Sequence, residues 1–227
     1  MAGHIPHVCG TRIAGGRARI YNSVTMPLAI PLAVVAYLIG GVPTAYLLGR
    51  RLRGVDIRAL GSRNVGAVNA FKQLGWEIGL LVLAVDVGKG VGLTLLATTS
   101  GIGAWGVSAV VVAATVGNNW SPYLRLSGGK GLALVFGISL VMVPLLSIAA
   151  LPFTAIGFVL TRSVIWAFVT GAIALNVLVI VGDHAAPVVV TCLALTGIVI
   201  VTHLVRSVSD IRLAIRRRDL RLFSQAE

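Results

Sequence analysis

The sequence predicts an all-α integral membrane protein with about seven spanning helices, on three observations. Hydrophobic residues make up 57% of the chain and charged residues only 11%, with a mean hydropathy of +0.95, outside the balance that a water-soluble domain can carry. Apolar runs recur along the chain at lengths near the roughly 20 residues that a helix needs to cross about 30 Å of hydrocarbon, and 227 residues leave room for about seven. The basic residues cluster in the segments between those runs rather than inside them, as residues that orient a chain in a bilayer do.

Taken in order, residues 1–25 hold Arg12, Arg17 and Arg19 among several glycines. They lack the apolar core of a signal peptide. They read as a disordered extension, or as a start placed too far upstream with Met26 as the true initiator, and residues 26–227 read as one membrane domain. The first span is expected at 27–48, ending in Arg50, Arg51 and Arg53, the second at 78–98 and the third at 102–116. The apolar run 132–160 is too long for one crossing and contains Pro144 and Pro152, so it divides into two helices turning near 144–147. The sixth and seventh spans are expected at 164–181 and 185–202, joined by Gly182, Asp183 and His184.

Seven spans place the N-terminus and C-terminus on opposite sides and gather residues 49–77, 117–131, 161–163 and 203–227 on one face. Those segments hold about 15 of the 19 Lys and Arg residues, so the positive-inside rule makes that face cytoplasmic and the N-terminus external. The net charge of +12 is then a matter of membrane orientation. Nucleic acid is not an expected partner, because little aromatic surface interleaves with the basic residues. Cys9 lies in the polar extension and Cys192 in a span, a pattern that supports neither a disulfide framework nor a metal site.

Two of the loops carry groups suited to chemistry. The first reads Gly61-Ser62-Arg63-Asn64-Val65-Gly66-Ala67-Val68-Asn69-Ala70-Phe71-Lys72: glycines that let the backbone turn, hydroxyl and amide donors, and two cations, a set that fits an anion such as phosphate. A helix N-terminus near Gly75 would add to it. A tight Gly/Asn turn is the alternative reading. The second ends Ser127-Gly128-Gly129-Lys130-Gly131 at the start of an apolar run, a glycine nest with its own countercharge. It is not a Walker A loop, since Leu124 and Gly131 stand where a glycine and a Ser or Thr are required. A re-entry turn whose Lys130 reaches for lipid phosphate is the plainer alternative.

Asp86 and Lys89 lie three residues apart in the second span and share a helix face. They form either the polar wall of a substrate cavity or an ion pair that fastens helices. In the tail, His203 sits at the membrane edge on the same side as both loops. Arg206, Arg212, Arg216, Arg217 and Arg218 read as an anchor for anionic membrane lipids, at about 1 kcal/mol per residue near the surface.

From Met26 onward these loops resemble the bacterial membrane acyl-phosphate:glycerol-3-phosphate acyltransferases. Gly61, Ser62, Asn64, Gly66, Ala67, Asn69 and Lys72 match the first motif of that family in order and spacing. The flanking stretches 47–50 and 54–58, Leu74-Gly75, Asp86, Lys89 and Gly90 are similar to it as well. Gly117, Gly128, Gly129, Lys130 and Gly131 match the second motif, in which Asn118 and Ser127 replace a His and a Lys. Only His203 matches the third, with Arg206 in the place of an Asn.

The resemblance implies a seven-helix enzyme of the bacterial inner membrane that moves an acyl chain from acyl phosphate to glycerol 3-phosphate, giving lysophosphatidic acid in phospholipid synthesis. It implies no metal, no cofactor and no thioester donor. Its catalytic residues here would be Ser62, Lys130 and His203. Substrate would be held by Gly61, Asn64, Gly66, Asn69, Lys72, Asn118, Gly128, Gly129 and Gly131. A divergent member with an altered acceptor, and a lipid-binding or transport protein that kept the fold, are the rival readings; transport finds no support in an inverted repeat.

Overall fold

A computed structural model describes residues 13–217, and the side chains of residues 27–207. Among the described residues the chain is helical throughout, in ten α-helical segments: α1 Ile13–Gly41, α2 Thr44–Arg53, α3 Ala67–Leu74, α4 Trp76–Thr99, α5 Gly103–Asn119, α6 Leu132–Met142, α7 Pro144–Ala149, α8 Leu151–Thr161, α9 Val164–Val181 and α10 Ala186–Arg217. Part of the segment expected as an extension, residues 13–25, belongs to α1; residues 1–12, with Cys9 and Arg12, and the tail from 218 lie outside the described residues.

Five stretches are long and apolar enough to cross a bilayer: Pro27–Arg53, Trp76–Thr99, Pro144–Thr161, Val164–Val181 and Ala186–Ser207. The other two expected crossings fall on shorter helices, α5 of 17 residues and α6 of 11, which are not among those five. The run 132–160 does divide, and the break comes at Val143, one residue before Pro144 opens the next helix; a proline at the first helical position loses no hydrogen bond there.

In hydrocarbon there is no hydrophobic drive between helices, so close backbone approach at small residues sets their packing. α1 packs on α5, α4 on α6, α8 on α9, and α10 on both α5 and α9. Gly40 and Gly117 lie where α1 and α5 touch, and Gly90 and Gly137 where α4 and α6 touch. A Cβ on any of the four would collide with a backbone carbonyl of the facing helix. Between these crossings Leu93, Val110, Val111, Leu134, Ile138, Leu195 and Val199 form the main core. The bilayer side keeps large apolar side chains exposed, among them Leu80, Leu95, Leu145, Trp166 and Ile173.

The first span is broken at Val42–Pro43, between α1 and α2. A broken helix inside a membrane leaves carbonyls that water cannot reach, and each needs a protein donor. Ser121 Oγ donates to the Gly41 carbonyl at 2.6 Å and Lys89 Nζ to the Val42 carbonyl at 2.8 Å. Lys89 is also paired with Asp86 at 2.7 Å, with side chains only 9% and 11% exposed. Thr44 Oγ1, in the first turn of α2, donates to the same carboxylate at 2.9 Å, where the helix dipole favours negative charge. Of the two readings open for Asp86 and Lys89, the contacts fit the fastening pair.

Candidate active site

The polar segment 61–72 is half helix. Gly66, in extended backbone, precedes α3, whose eight residues turn the chain before Gly75, at φ +101°, lets it enter the second span at Trp76. The loop ahead of α3 is organised from within by Asn69, 1% exposed. Its Nδ2 reaches the carbonyls of Ile57, Leu60 and Asn64 at 3.4, 3.1 and 3.0 Å, and its Oδ1 accepts the Ser62 N–H at 3.2 Å. Gly61 has φ +51°, and a Cβ there would press on the Asn69 and Gln73 amides at 2.6 Å. Asn69 and Gly61 therefore shape the loop from behind, holding Ser62 and Asn64 outward. Beneath them Ile57, Val65, Ala70, Leu74, Ile78, Val82 and Leu124 form a second core.

The glycine segment of the second loop is spent on α5. The last carbonyls of a helix lack intrahelical donors. Here the N–H groups of Gly128 and Gly129 donate to the Asn119 and Asn118 carbonyls at 3.2 and 2.8 Å. These N–H groups, expected to cradle an anion, thus cap a helix instead. Gly128 has no room for a Cβ against the Asn118 carbonyl, and Gly131, at φ +78°, starts α6 beside the Asn119 amide. Asn118 donates from its side chain to Asn119 Oδ1 at 3.2 Å. It faces a void of about 10 Å³ shared with Gly129 and Asp86. What the loop offers outward is Ser127, the Gly128 backbone and Lys130.

The third contribution comes from α10. Asn119, fully buried, donates from Nδ2 to Thr202 Oγ1 at 2.9 Å. One turn on, Arg206 donates from Nη2 to the Asn119 carbonyl at 3.1 Å and from Nη1 to Asn64 Oδ1 at 2.9 Å. One guanidinium thereby joins the two loops to the last described helix. Between them lies a cavity of about 600 Å³, lined by Asp56, Arg58, Ser62, Arg63, Asn64, Trp120, Ser127, Gly128, Lys130, Arg206 and neighbouring residues.

Four cationic side chains and one carboxylate face this cavity. The carboxylate, Asp56, is held by Arg58 through a two-point contact at 2.7 and 3.0 Å. Arg58 lies over the Tyr46 ring at 4.7 Å. The hydrogen bond from Arg58 outweighs partial desolvation and lowers the Asp56 carboxyl from 3.8 to about 2. Arg58 pairs with Asp56, while Arg63, Lys130 and Arg206 line the cavity beside the hydroxyl and amide of Ser62 and Asn64, residue types suited to phosphate.

Of the residues singled out in sequence, Ser62, Asn64, Gly128 and Lys130 line the cavity. Gly61, Gly66, Asn69, Asn118, Gly129 and Gly131 lie outside the lining. Lys72 is exposed on α3 and lies outside the lining. His203 also lies outside it; its ring meets Trp166 of α9 edge to face, 6.4 Å between centroids. Arg206, grouped in sequence with the anchoring arginines, is a wall residue. Trp120 carries no charge or motif signal that would have marked it, whereas the Asp56–Arg58 spacing of two residues was such a signal.

A second cavity of about 540 Å³ is almost wholly apolar, lined by Leu132, Val135, Phe136, Phe168, Leu175, Leu195 and neighbours from α6 to α10. Leu132 stands two residues after Lys130, so α6 begins at the polar cavity and runs along the apolar one.

Fold and site together define a polytopic membrane protein with a cation-lined cavity and a separate apolar one within the helices. The chain belongs to the glycerol-3-phosphate acyltransferase family, which it matches over residues 30–211. It is 44% identical over 129 residues to glycerol-3-phosphate acyltransferase 5 of Dehalococcoides mccartyi, covering 57% of this chain and 55% of that one. To the glycerol-3-phosphate acyltransferase of Thermus thermophilus it is 39% identical over 153 residues, 67% and 76% of the two chains. The chain thus spans little more than half the length of the Dehalococcoides relative. Its fold is similar to the crystal structure of PlsY (YgiH), an integral membrane glycerol 3-phosphate acyltransferase, in its glycerol 3-phosphate form. The TM-score is 0.73 at 28% identity, covering 88% of this chain and 94% of that one. The lysophosphatidic acid form of PlsY matches with a TM-score of 0.72 at 27% identity, covering 87% and 99%.

Proposed function

We propose that this protein transfers an acyl chain from acyl phosphate to glycerol 3-phosphate, releasing lysophosphatidic acid and inorganic phosphate. The observation that carries this reading is the meeting of Ser62, Asn64, Lys130 and Arg206 around one cavity, with Lys130 two residues before Leu132 of a separate apolar cavity. The structures of PlsY in glycerol 3-phosphate and lysophosphatidic acid forms support the same substrate and product here.

In this mechanism the acyl tail lies in the apolar cavity along α6, and the phosphate of the donor meets Lys130. Ser62 and Asn64 orient the acceptor. A glycerol hydroxyl oxygen attacks the acyl carbonyl carbon, the ester C–O bond forms, and the C–O bond to phosphate breaks. Acyl phosphate is a mixed anhydride with a good leaving group, and the departing phosphate takes the hydroxyl proton, so no protein base is required. Proximity of the two reactants supplies most of the acceleration, up to roughly 7–11 kcal/mol, and Lys130 stabilises charge that develops on the leaving phosphate. His203, against Trp166, is assigned no proton transfer.

The same reading puts the cavity on the cytoplasmic side of a bacterial inner membrane, supported by the positive-inside rule and the concentration of about 15 of 19 basic residues in the segments of that face. Anionic lipid headgroups would then meet the basic tail, and residues 26–227 would act as one membrane domain.

The test is acyl transfer by the purified protein in detergent, with palmitoyl phosphate and glycerol 3-phosphate. Wild type is expected to form lysophosphatidic acid, Lys130→Ala to lose at least about a hundredfold in kcat/KM and Ser62→Ala about tenfold. Absence of product with wild type would remove the reading, and activity with acyl-CoA alone would replace the donor.

A further inference from the structure

One end of the apolar cavity is built from residues that serve a second purpose. Met142 at the end of α6, Leu175 on α9 and Cys192 on α10 line the cavity of about 540 Å³. The same three side chains belong to a third core of the fold, together with buried Val143 and Val179. From Leu132 to Met142, both of which line the cavity, α6 advances about 15 Å at 1.5 Å per residue. There the helix breaks at Val143 and Pro144 opens α7, and Ser147 Oγ of α7 donates to the Val143 carbonyl at 2.9 Å. The wall that α6 supplies therefore stops where the third core begins.

Hydrogen bonds between helices hold that end in place on both sides of Cys192. One residue before it, Thr191 Oγ1 donates to Ser108 Oγ of α5 at 2.6 Å, and four residues after it Thr196 Oγ1 accepts from Asn176 Nδ2 of α9 at 2.9 Å. Bonds of this kind between Ser, Thr and Asn side chains fix helices against one another in hydrocarbon, so α10 is tied to both neighbours around the cavity's end. The hydroxyls that line the cavity, Ser139, Ser147 and Thr154, donate to backbone carbonyls three or four residues earlier, which suits a hydrocarbon occupant.

We infer that Met142, Leu175 and Cys192 set the length of acyl chain that the protein accepts, as the stop against which the tail of the donor ends. The inference rests on the acyltransferase reading in naming the occupant as an acyl chain. A bilayer solvates a tail about as well as an apolar cavity does, so methylenes that fit inside the cavity add little preference. Discrimination falls on the methylenes that would have to enter the packed core, where overfilling forces side chains out of their rotamers.

The test is a competition on the full chain in detergent. Lauroyl, myristoyl, palmitoyl, stearoyl and arachidoyl phosphate are supplied in equal amounts with glycerol 3-phosphate, and the chain lengths of the product are read by mass spectrometry. Ratios within one mixture do not depend on how much of a variant folds. Leu175→Ala deepens the cavity and is expected to raise the share of the longest products about tenfold over wild type. Cys192→Leu fills it and is expected to shift the product toward shorter chains by a similar factor. Ile173→Ala, at a position of α9 that is 55% exposed on the bilayer side, is expected to leave the profile as in wild type. A profile unchanged in Leu175→Ala, or shifted equally by Ile173→Ala, overturns the inference, and Leu175→Ala decides alone if Cys192→Leu does not fold.

Thermal stabilisation by lauryl, palmityl and stearyl phosphate, which carry no acyl group to transfer, reads the same limit without turnover. A wild type that forms no lysophosphatidic acid but whose preferred alkyl length moves upward in Leu175→Ala removes the acyltransferase reading and keeps the length stop. The same order of alkyl phosphates in wild type and Leu175→Ala overturns the stop, whatever the activity.

Discussion

Lys89 pairs with Asp86 at 2.7 Å and, with the same ammonium, closes the broken first span by donating to the Val42 carbonyl at 2.8 Å. The pair is therefore part of a helix cap, and its loss should be felt at α1 and α2 before it is felt in substrate binding. Lys89→Met leaves the Asp86 carboxylate buried without its countercharge and the Val42 carbonyl without its donor. Removing one partner of a buried pair costs about 3–5 kcal/mol. The double variant Asp86→Asn with Lys89→Met should be less damaged than Lys89→Met alone. Unfolding in detergent gives both numbers, and a double variant worse than the single one would show that charge compensation is not what Asp86 contributes.

Asn69 Nδ2 lies within reach of three carbonyls, shared between its two N–H groups, and Oδ1 accepts one N–H within the first loop. Asn69→Ala strands these buried groups at about 1–3 kcal/mol for the set that stays dry. Since Ser62 and Asn64 hang on it, activity should fall by more than the loss of folded protein explains. Comparing the specific activity of the folded fraction with the unfolding midpoint separates the two effects; equal losses would reduce Asn69 to a stability residue.

Gly128 and Gly92 make a matched pair for alanine substitution. A Cβ at Gly128 meets the Asn118 carbonyl, while one at Gly92, inside α4, meets nothing within 4 Å. Gly128→Ala must push the second loop off the end of α5, and a loss of stability of about 1–3 kcal/mol is expected together with loss of transfer activity. Gly92→Ala should be neutral or stabilising by up to about 1 kcal/mol. Thermal unfolding of the two variants side by side checks the geometry of the loop.

The Asp56 carboxyl, lowered from 3.8 to about 2 by the Arg58 hydrogen bond, gives a pH dependence with a definite sign. Its folded value lies below the unfolded one, so ionised Asp56 stabilises the protein above pH 3.8 and this contribution is lost as pH falls through about 2. The difference in unfolding temperature between wild type and Asp56→Asn should be constant from pH 7 to about 5 and shrink steadily below 4. The effect is modest because the pair is partly hydrated. A difference that grows on acidification would contradict it.

Sequence alone reached the helical membrane class and the splitting of the long apolar run, because hydropathy and proline placement are local signals. It missed α3, whose eight residues are fewer than two clear repeats of a helical apolar stripe and are preceded by glycine and asparagine. Ser62, Asn64 and Lys130, singled out as polar groups in glycine-rich loops, lie on the wall of the cavity. Asn69 and the glycine N–H groups were read as ligands because nothing local reveals that their partners are the Ile57, Leu60, Asn118 and Asn119 carbonyls. His203 was drawn toward the site by its position at the membrane edge, whereas the ring it meets, Trp166, comes from a helix 37 positions earlier. Arg206 looked like one more member of a basic run until the fold showed Asn64, 142 residues away, at its tip.

That separation has a bearing on how the protein comes into being. Both loops are translated long before α10 emerges, and they share one small core, in which Leu124 of the second packs with Ile57, Val65 and Ala70 of the first. Until α10 enters the bilayer, Asn64 and Asn119 lack the guanidinium that ties them together. A nascent chain halted after α9 would thus carry twelve of the fifteen residues of the pocket wall and none of its closure. Assembly of the binding site is in this sense a late event, timed by insertion of a single helix, and a quality check on that insertion is at the same time a check on whether the pocket exists.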